Sequence, residues 1–316
     1  MNGNSRSRVL LGFLCLALLI LVGCSNTAGN NAANNGSGGN SSSAMPVGLY
    51  MGTGSFTGVS QWNSQSFATS PYMLGFITST GNYMLLSYSA GSPNVISQID
   101  IGTATASDGN LTSNNDQNYY VFPNYAEDAP ILGNIQGSPL SATYVLNQTI
   151  YGSIDYTGTP DVLSFPLGIV GASTQPASLS ALAGTYTGAF YSTWDTCGTS
   201  CAMVATSTIT ITSAGALSGT VACPWGDGAT TNDSPRRADS TSTTSADCTV
   251  SGTVSARSDI DAYDVSVTFA NGTEYNFGGD TWVGVTGTGM GYYDSANQKF
   301  MFGTVTPGNI PFAFSN

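Results

Sequence analysis

Apolar and polar side chains alternate along most of the chain beyond residue 45. In Tyr263-Asp264-Val265-Ser266-Val267-Thr268-Phe269 the alternation is unbroken. A period of two puts Tyr263, Val265, Val267 and Phe269 on one face of a strand, and Asp264, Ser266 and Thr268 on the other. Asn271-Gly272 follows, the strongest short hairpin signal, and 274–277 begins the return strand. Ile209 and Ile211 alternate with Thr208, Thr210 and Thr212, and Ala214-Gly215 turns the chain into Leu217–Cys223. Cys248–Ala256 sets Val250, Gly252 and Val254 against Thr249, Ser251 and Thr253, and later runs lie at 281–285, 290–293 and 300–305. In the first half, strands are expected at 49–56, 72–78, 83–88, 95–101, 119–122, 140–146, 149–156 and 162–170. The stretch Gly102–Asn118 is so rich in Asp, Asn, Gly, Ser and Thr that it reads as a long loop. No segment sustains a 3.6-residue apolar period. The expectation is an all-β protein with two tandem antiparallel β-barrel or sandwich domains of about eight short strands each.

Two domains follow from a weak internal repeat. Gly48-Leu49-Tyr50-Met51-Gly52 has a partner in Gly184-Thr185-Tyr186-Thr187-Gly188, and Ile77-Thr78-Ser79-Thr80-Gly81 has one in Ile211-Thr212-Ser213-Ala214-Gly215. The two matches come in the same order at nearly the same spacing. The short Pro-containing stretch Gly171–Ser178 has the character of an inter-domain linker. The expected domains are 45–175 and 176–316.

The N-terminal pattern is different. Arg6 and Arg8 precede an apolar run from Val9 to Val22, which ends in small residues at Gly23-Cys24. A basic start, a short apolar run and a small-residue cut site describe a secretory signal peptide over 1–23. After Cys24 the tether 24–44 continues as Asn, Gly, Ser, Ala and Thr, with no charge and no large apolar side chain over Ser25–Ala44. Such a segment cannot bury enough surface to fold and is expected to be a disordered, flexible tether, spanning roughly 25 Å.

Charged residues make up 8% of the chain, and no histidine occurs. Removing 1–23 leaves four basic residues, Arg236, Arg237, Arg257 and Lys299, against 18 acids, about −14. No basic stripe exists to neutralise phosphates, so nucleic acid is excluded as a partner. Anionic headgroups would repel the chain as well, so any attachment to a membrane must come from lipid.

Leu21-Val22-Gly23-Cys24 resembles the lipobox of bacterial lipoproteins. The resemblance implies that Cys24 becomes the first mature residue and carries acyl chains such as palmitate. It also implies an outer-membrane location, since Ser25 stands where inner-membrane retention usually has Asp. With the tether and two all-β units, the architecture resembles the transferrin-binding and factor-H-binding surface lipoproteins, and no ligand-contact motif carries over. The Gly-x-Tyr openings at Tyr50 and Tyr186 also resemble the Gly-x-Trp that opens lipocalin barrels.

Four cysteines remain beyond Cys15 and Cys24: Cys197, Cys201, Cys223 and Cys248. An even number in an exported protein reads as disulfides. Three pairings are possible. The strand reading favours Cys223–Cys248 across a hairpin and a tight Cys197–Cys201 ring, with a four-thiolate zinc site as the rival reading.

Without histidine, a Ser-His-Asp triad and most catalytic zinc sites are excluded. Asp259, Asp261 and Asp264 crowd one strand entrance, and Asp108 and Asp116 flank a polar stretch. These carboxylates could serve a glycosidase or calcium, although neither group matches an Asp-x-Asp-x-Asp-Gly loop and solvated loop carboxylates are the plainer reading. Trp194 and Trp225 lie beside cysteines on expected loops and are candidate binding residues, with Trp62 and Trp282 as further exposed or barrel-end aromatics. Arg236-Arg237 sits in the long polar insertion Pro224–Asp247. The expected function is a non-catalytic binding or interaction lipoprotein without cofactor, taking a protein, glycan or small apolar ligand. The alternatives are a lipocalin-like carrier of an apolar ligand and a structural envelope lipoprotein.

Overall fold

The computed structural model describes residues 43–57, 71–89, 94–120, 135–156, 162–170, 176–193, 202–222, 247–270, 284, 286–308 and 311–316. They form two closed antiparallel barrels of eight main strands each, so the barrel and not the sandwich is the architecture.

The first barrel is an up-and-down meander. Its main strands are β1 (Gly48–Thr53), β3 (Tyr72–Ile77), β4 (Asn82–Ser89), β5 (Val95–Thr103), β7 (Asn110–Tyr120), β8 (Ile135–Val145), β9 (Thr149–Asp155) and β10 (Val162–Ile169). β10 pairs back onto β1 through Tyr50–Ile169 and Gly52–Leu167 and closes the wall. Two short pieces, β2 (Ser55–Thr57) and β6 (Thr105–Ser107), extend β10 and β7. The polar stretch 102–118 is therefore strand in large part and not a loop. β7 alone is eleven residues long, and it bulges between Ser113 and Asp116.

The second barrel follows a single turn of helix, α1 (Leu179–Leu182). Its strands are β11 (Gly184–Thr193), β12 (Ala202–Ile211), β13 (Ala216–Ala222), β14 (Asp247–Ala256), β15 (Tyr263–Ala270), β16 (Thr286–Asp294), β17 (Lys299–Val305) and β18 (Pro311–Ser315). β18 closes onto β11 through Ala189–Ser315 and Phe190–Phe314.

The internal repeat has a physical meaning. Gly48 opposes Ile77 in the first barrel, and Gly184 opposes Ile211 in the second. The Tyr50 hydroxyl donates to the Pro46 carbonyl at 3.0 Å, and the Tyr186 hydroxyl donates to the Leu182 carbonyl. Each tyrosine thus ties the chain four residues upstream to the base of its own barrel. Tyr144, donating to the Ala44 carbonyl at 2.7 Å, and Tyr263, donating to the Ser178 carbonyl at 3.0 Å, complete the two plugs.

The interiors differ. In the second barrel Tyr186, Phe190, Phe300, Phe302 and Phe314 pack on one another, with ring centroids of the phenylalanines 5.3–5.8 Å apart. Valines of β13, β14 and β15 complete that core. The first barrel is apolar around Tyr50, Leu85, Leu163, Phe165 and Leu167, but polar along part of β5 and β7.

A third core lies outside both barrels, between them. Leu49, Leu74, Phe76, Met84, Leu86, Ile96, Ile99 and Tyr119 of the first pack against Tyr191, Ile260, Met290, Met301, Val305 and Ala313 of the second. A Cβ on Gly303 would stand 2.7 Å from Leu86 Cδ2, so a residue without a side chain is what lets the walls meet. The Tyr191 hydroxyl donates across the interface to the Asn94 carbonyl at 3.0 Å, and Ser315 Oγ donates to the same oxygen.

Candidate functional site

Beside that interface the outward faces of the barrels diverge and leave a cleft of about 560 Å³. Period-two alternation decides what lines it. On β4, β5 and β7 the residues Asn82, Thr103, Asn115 and Gln117 point away from the first barrel. Thr253, Ser255, Ser266 and Thr288 do the same on the second. Met84, Ile101 and Met290 form an apolar floor. The amide oxygens of the first wall are engaged within it. Asn115 Oδ1 accepts the Thr103 amide at 3.0 Å, Asn82 Oδ1 accepts Thr103 Oγ1 at 3.1 Å, and Gln117 Oε1 accepts the Tyr119 hydroxyl at 2.6 Å. The wall therefore meets a ligand chiefly with amide N–H groups and hydroxyls.

Arg257 and Asp264 bring the cleft's charges and pair with one another: Nη1 donates to Asp264 Oδ1 at 2.6 Å. Arg257 also grips Asp259 with Nε at 3.0 Å and Nη2 at 3.2 Å. Asp259 Oδ2 in turn accepts the backbone N–H and the hydroxyl of Ser79, at 2.9 and 3.0 Å. Partial burial opposes ionisation of Asp259, but Arg257 and Ser79 outweigh it and hold the carboxyl down at about 2. Asp259 thus clamps the two barrels together, while Asp264 holds Arg257 within the second. Asp261 stands apart, its pKa raised by burial.

The other polar constellation is inside the first barrel. Ser87, Gln98, Asp100, Asp116, Asn118 and Ser138 are all fully buried. Register sets them in successive rows of the inner wall: Ser87 neighbours Gln98 across β4–β5, Asp100 opposes Asn118 across β5–β7 one row on, and Asp116, a further row on, opposes Ser138 across β7–β8. Asp100 accepts Asn118 Nδ2 at 2.6 Å and Gln98 Nε2 at 2.8 Å, with the Tyr156 hydroxyl 3.4 Å away. Tyr83 reaches across β5 to donate to Asp116 Oδ1 at 2.6 Å. Its ring lies over Gly102, where a Cβ would stand 2.5 Å from the phenol oxygen. Burial pushes both carboxyls well above the ordinary carboxylate range, and the Asp100 charge pushes Asp116 further. Burial likewise raises the Tyr83 phenol, helped by Asp116.

Four buried oxygens in this cluster have no hydrogen-bond partner: Ser87 Oγ, Gln98 Oε1, Asp116 Oδ2 and Asn118 Oδ1. Such groups destabilise a fold by about 1–3 kcal/mol apiece unless something serves them. In the second barrel Ser207 Oγ is the one counterpart among the described residues.

Of the residues singled out in the sequence, Asp108 and Asp116 are separated by the fold. Asp108 is exposed on the β6–β7 turn with φ of 52°, and Asp116 points inward. They form no common site. Cys24, Trp62, Trp194, Trp225, Trp282, Cys197, Cys201, Cys223, Arg236 and Arg237 lie outside the described residues. The backbone of Cys248 is on β14, opposite Val221. Asp100, Asn118 and Gln98 were missed by sequence reasoning, as were the cleft walls. The core between the barrels, beside the cleft, did leave a signal: Tyr72–Ile77 and Tyr83–Leu86 are unbroken apolar runs, the mark of a strand covered on both faces.

No protein-family model matches the chain, and no curated protein does. Among solved structures the chain is similar to immune modulator A of Aeromonas veronii, at 9% identity over 85% of this chain and 94% of that one, with a TM-score of 0.29. It is similar to isotype 1 transferrin binding protein B from serogroup B Neisseria meningitidis, at 8% identity over 85% and 74% of the two chains, with a TM-score of 0.28. A protein of unknown function from Nostoc punctiforme aligns at 10% identity over 85% and 94%, with a TM-score of 0.24. No residue role is transferred from any of them.

Proposed function

We propose that the chain is a lipid-anchored envelope protein with a non-catalytic binding role, and that its ligand is a neutral, hydroxyl-rich molecule such as a short glycan held in the inter-barrel cleft. The observation that carries the reading is the cleft itself. Its volume of about 560 Å³ falls within the ~300–1,000 Å³ usual for small-ligand sites. Its walls are amides and hydroxyls, its floor is apolar, and its one cation, Arg257, is already paired with Asp264 and Asp259. An anionic ligand would find no free cation among the residues that line it. The side chains that would carry acid–base chemistry are absent from the walls or locked in the clamp, which supports binding rather than turnover. The filled aromatic interior of the second barrel weighs against an apolar carrier in that barrel.

The cleft is tested on an array of neutral glycans, with the intact chain beside Ser266→Arg and Thr288→Arg, which place a bulky cation in the opening. Ligands held by the unaltered chain should be lost at least tenfold in both variants. Equal binding by the variants, or no neutral glycan bound at all, removes the cleft reading. The anchor rests on Leu21-Val22-Gly23-Cys24. Two acyl chains make membrane attachment lasting where one does not. Cys24→Ser should leave an unprocessed precursor, and mature protein that still begins at residue 24 and stays membrane-bound would refute it.

A further inference from the structure

We propose that the tip of the β8–β9 hairpin, with Val145, Leu146 and Tyr151, rests in the headgroup layer of a neutral phospholipid bilayer and sets how the anchored protein stands on it. The proposal rests on the lipid anchor of the proposed function, and it concerns a face that the cleft does not use.

The argument begins with where large apolar side chains are left in water. Among the described residues four are exposed: Tyr72, Val145, Leu146 and Tyr151. Tyr72 stacks on Tyr88, with ring centroids 5.7 Å apart. The other three share one hairpin, at 50%, 37% and 55% exposure. Register makes them neighbours. Val145 opposes Thr149 and Thr143 opposes Tyr151, so Val145 and Tyr151 lie on the same outward face of adjoining strands, within reach of an aromatic side chain. Leu146 sits in the turn that the Gln148 N–H closes onto the Val145 carbonyl at 3.0 Å, with Asn147 left-handed at φ of 57°. Farther from the turn the exposed residues Ser141, Thr143 and Asp155 are polar.

The repeat shows that the hairpin itself does not require these side chains. β16 and β17 hold the places in the second barrel that β8 and β9 hold in the first. Their turn runs Asp294-Ser295-Ala296-Asn297-Gln298-Lys299 and likewise has a left-handed residue, Gln298, at φ of 54°. The same turn thus closes with polar residues in one barrel and carries the apolar tip in the other, which is the barrel the tether joins.

The point of entry supplies the occupant. Tyr144, the neighbour of Val145, donates to the Ala44 carbonyl at 2.7 Å, so the chain arrives from residues 1–42 directly beside this hairpin. The tether expected over 24–44 spans roughly 25 Å, and acyl chains on Cys24 would keep the tip within reach of the bilayer. A tyrosine with an apolar ring and a wet hydroxyl suits the headgroup level. Charge selects the lipid. Residues 145–151 carry none, and the adjoining turn adds Asp108, beside Gly109 whose carbonyl accepts the Tyr144 N–H at 2.9 Å. A zwitterionic surface accepts that face and an anionic one repels it. Three side chains at a tip offer far less than the ~800 Å² per partner that a stable dimer buries.

The test uses the full chain, produced with its leader, purified from membranes and reconstituted in phosphatidylcholine vesicles, either plain or brominated on the acyl chains. Leu146→Trp and Tyr151→Trp are compared with Tyr72→Trp, each read against the four native tryptophans of the unaltered chain. Interfacial side chains reach roughly 5–10 Å into the headgroup and acyl boundary, so the emission added by the first two should fall about twofold on brominated vesicles. The emission added by Tyr72→Trp should not change. Leu146→Asp should keep its Tm and float with vesicles as the unaltered chain does, since the acyl chains hold it, yet it should cancel the quenching of Tyr151→Trp. No quenching in Leu146→Trp and Tyr151→Trp, equal quenching in all three, or quenching that survives Leu146→Asp overturns the proposal and leaves the anchor standing. A chain that does not float with vesicles removes the anchor and the proposal together. A dimer that Leu146→Asp dissociates would make the hairpin a subunit contact and overturn the bilayer as its occupant.

Discussion

Gly81 and Gly215 occupy the same place in the two barrels and answer the same demand. Their φ angles are 84° and 83°, and a Cβ would meet the Ala104 carbonyl at 2.5 Å and the Val254 carbonyl at 2.1 Å. Each amide closes the turn onto Thr78 or Thr212, and each carbonyl accepts from the strand beyond, Ala104 or Val254. Gly81→Ala and Gly215→Ala should each destabilise by about 1–3 kcal/mol from backbone strain alone, with more from the blocked carbonyl, as read from urea midpoints. Asp259 allows a prediction of pH dependence. Its carboxyl sits at about 2 in the folded chain against an ordinary 3.8. Between those values the unfolded chain binds the extra proton, so stability falls as pH falls through that window. Between about pH 5 and pH 2 the urea midpoint should drop more steeply for the unaltered protein than for Asp259→Asn. Parallel curves would mean that the clamp does not hold the barrels.

At the scale of elements, alternation was a reliable guide wherever a strand faced an apolar core. Tyr263, Val265 and Val267 are buried as their spacing predicts, and Ile209 and Ile211 are as well. The same rule failed on β7. Periodicity reports contrast between the two faces of a strand, and Asp116 and Asn118 face inward as polar residues beside a bulge. With no contrast and a shifting register, the nine residues 110–118 of this strand looked like loop. β18 was missed for another reason: Pro307, Gly308 and Pro311 carry the composition of a turn. The repeat was legible as two tyrosines, while their shared task of holding the base of each barrel needed coordinates. Tyr50→Phe should lose its bond to Pro46 and about 1 kcal/mol. Tyr186→Phe should act alike on the second barrel, and unequal losses would show that the two plugs are not equivalent.

For the molecule as a whole, the core between the barrels makes one body of two repeats. Gly303 is the test point, since its missing side chain sits against Leu86 and Ile99. Gly303→Leu should force the walls apart, lower Tm by several degrees and split a single melt into two. A single unshifted melt would show that the interface contributes little. The Arg257–Asp259–Ser79 clamp lies on the same seam, so the double variant Gly303→Leu with Asp259→Asn should fall short of the sum of its parts.

That seam has a consequence for the order of events during biosynthesis. The wall that meets the second barrel, with Leu74, Phe76, Leu86, Ile99 and Tyr119, is complete once β7 has emerged. At ~5–20 residues per second, Gly184–Ser315 takes on the order of 10 s to follow. Throughout that interval a finished sheet presents an apolar surface with nothing against it, the condition under which nascent chains associate with one another. A ribosome-stalled chain ending near Val170 should therefore bind a hydrophobic dye and recruit a holding chaperone, and both signals should vanish once Asn316 is released.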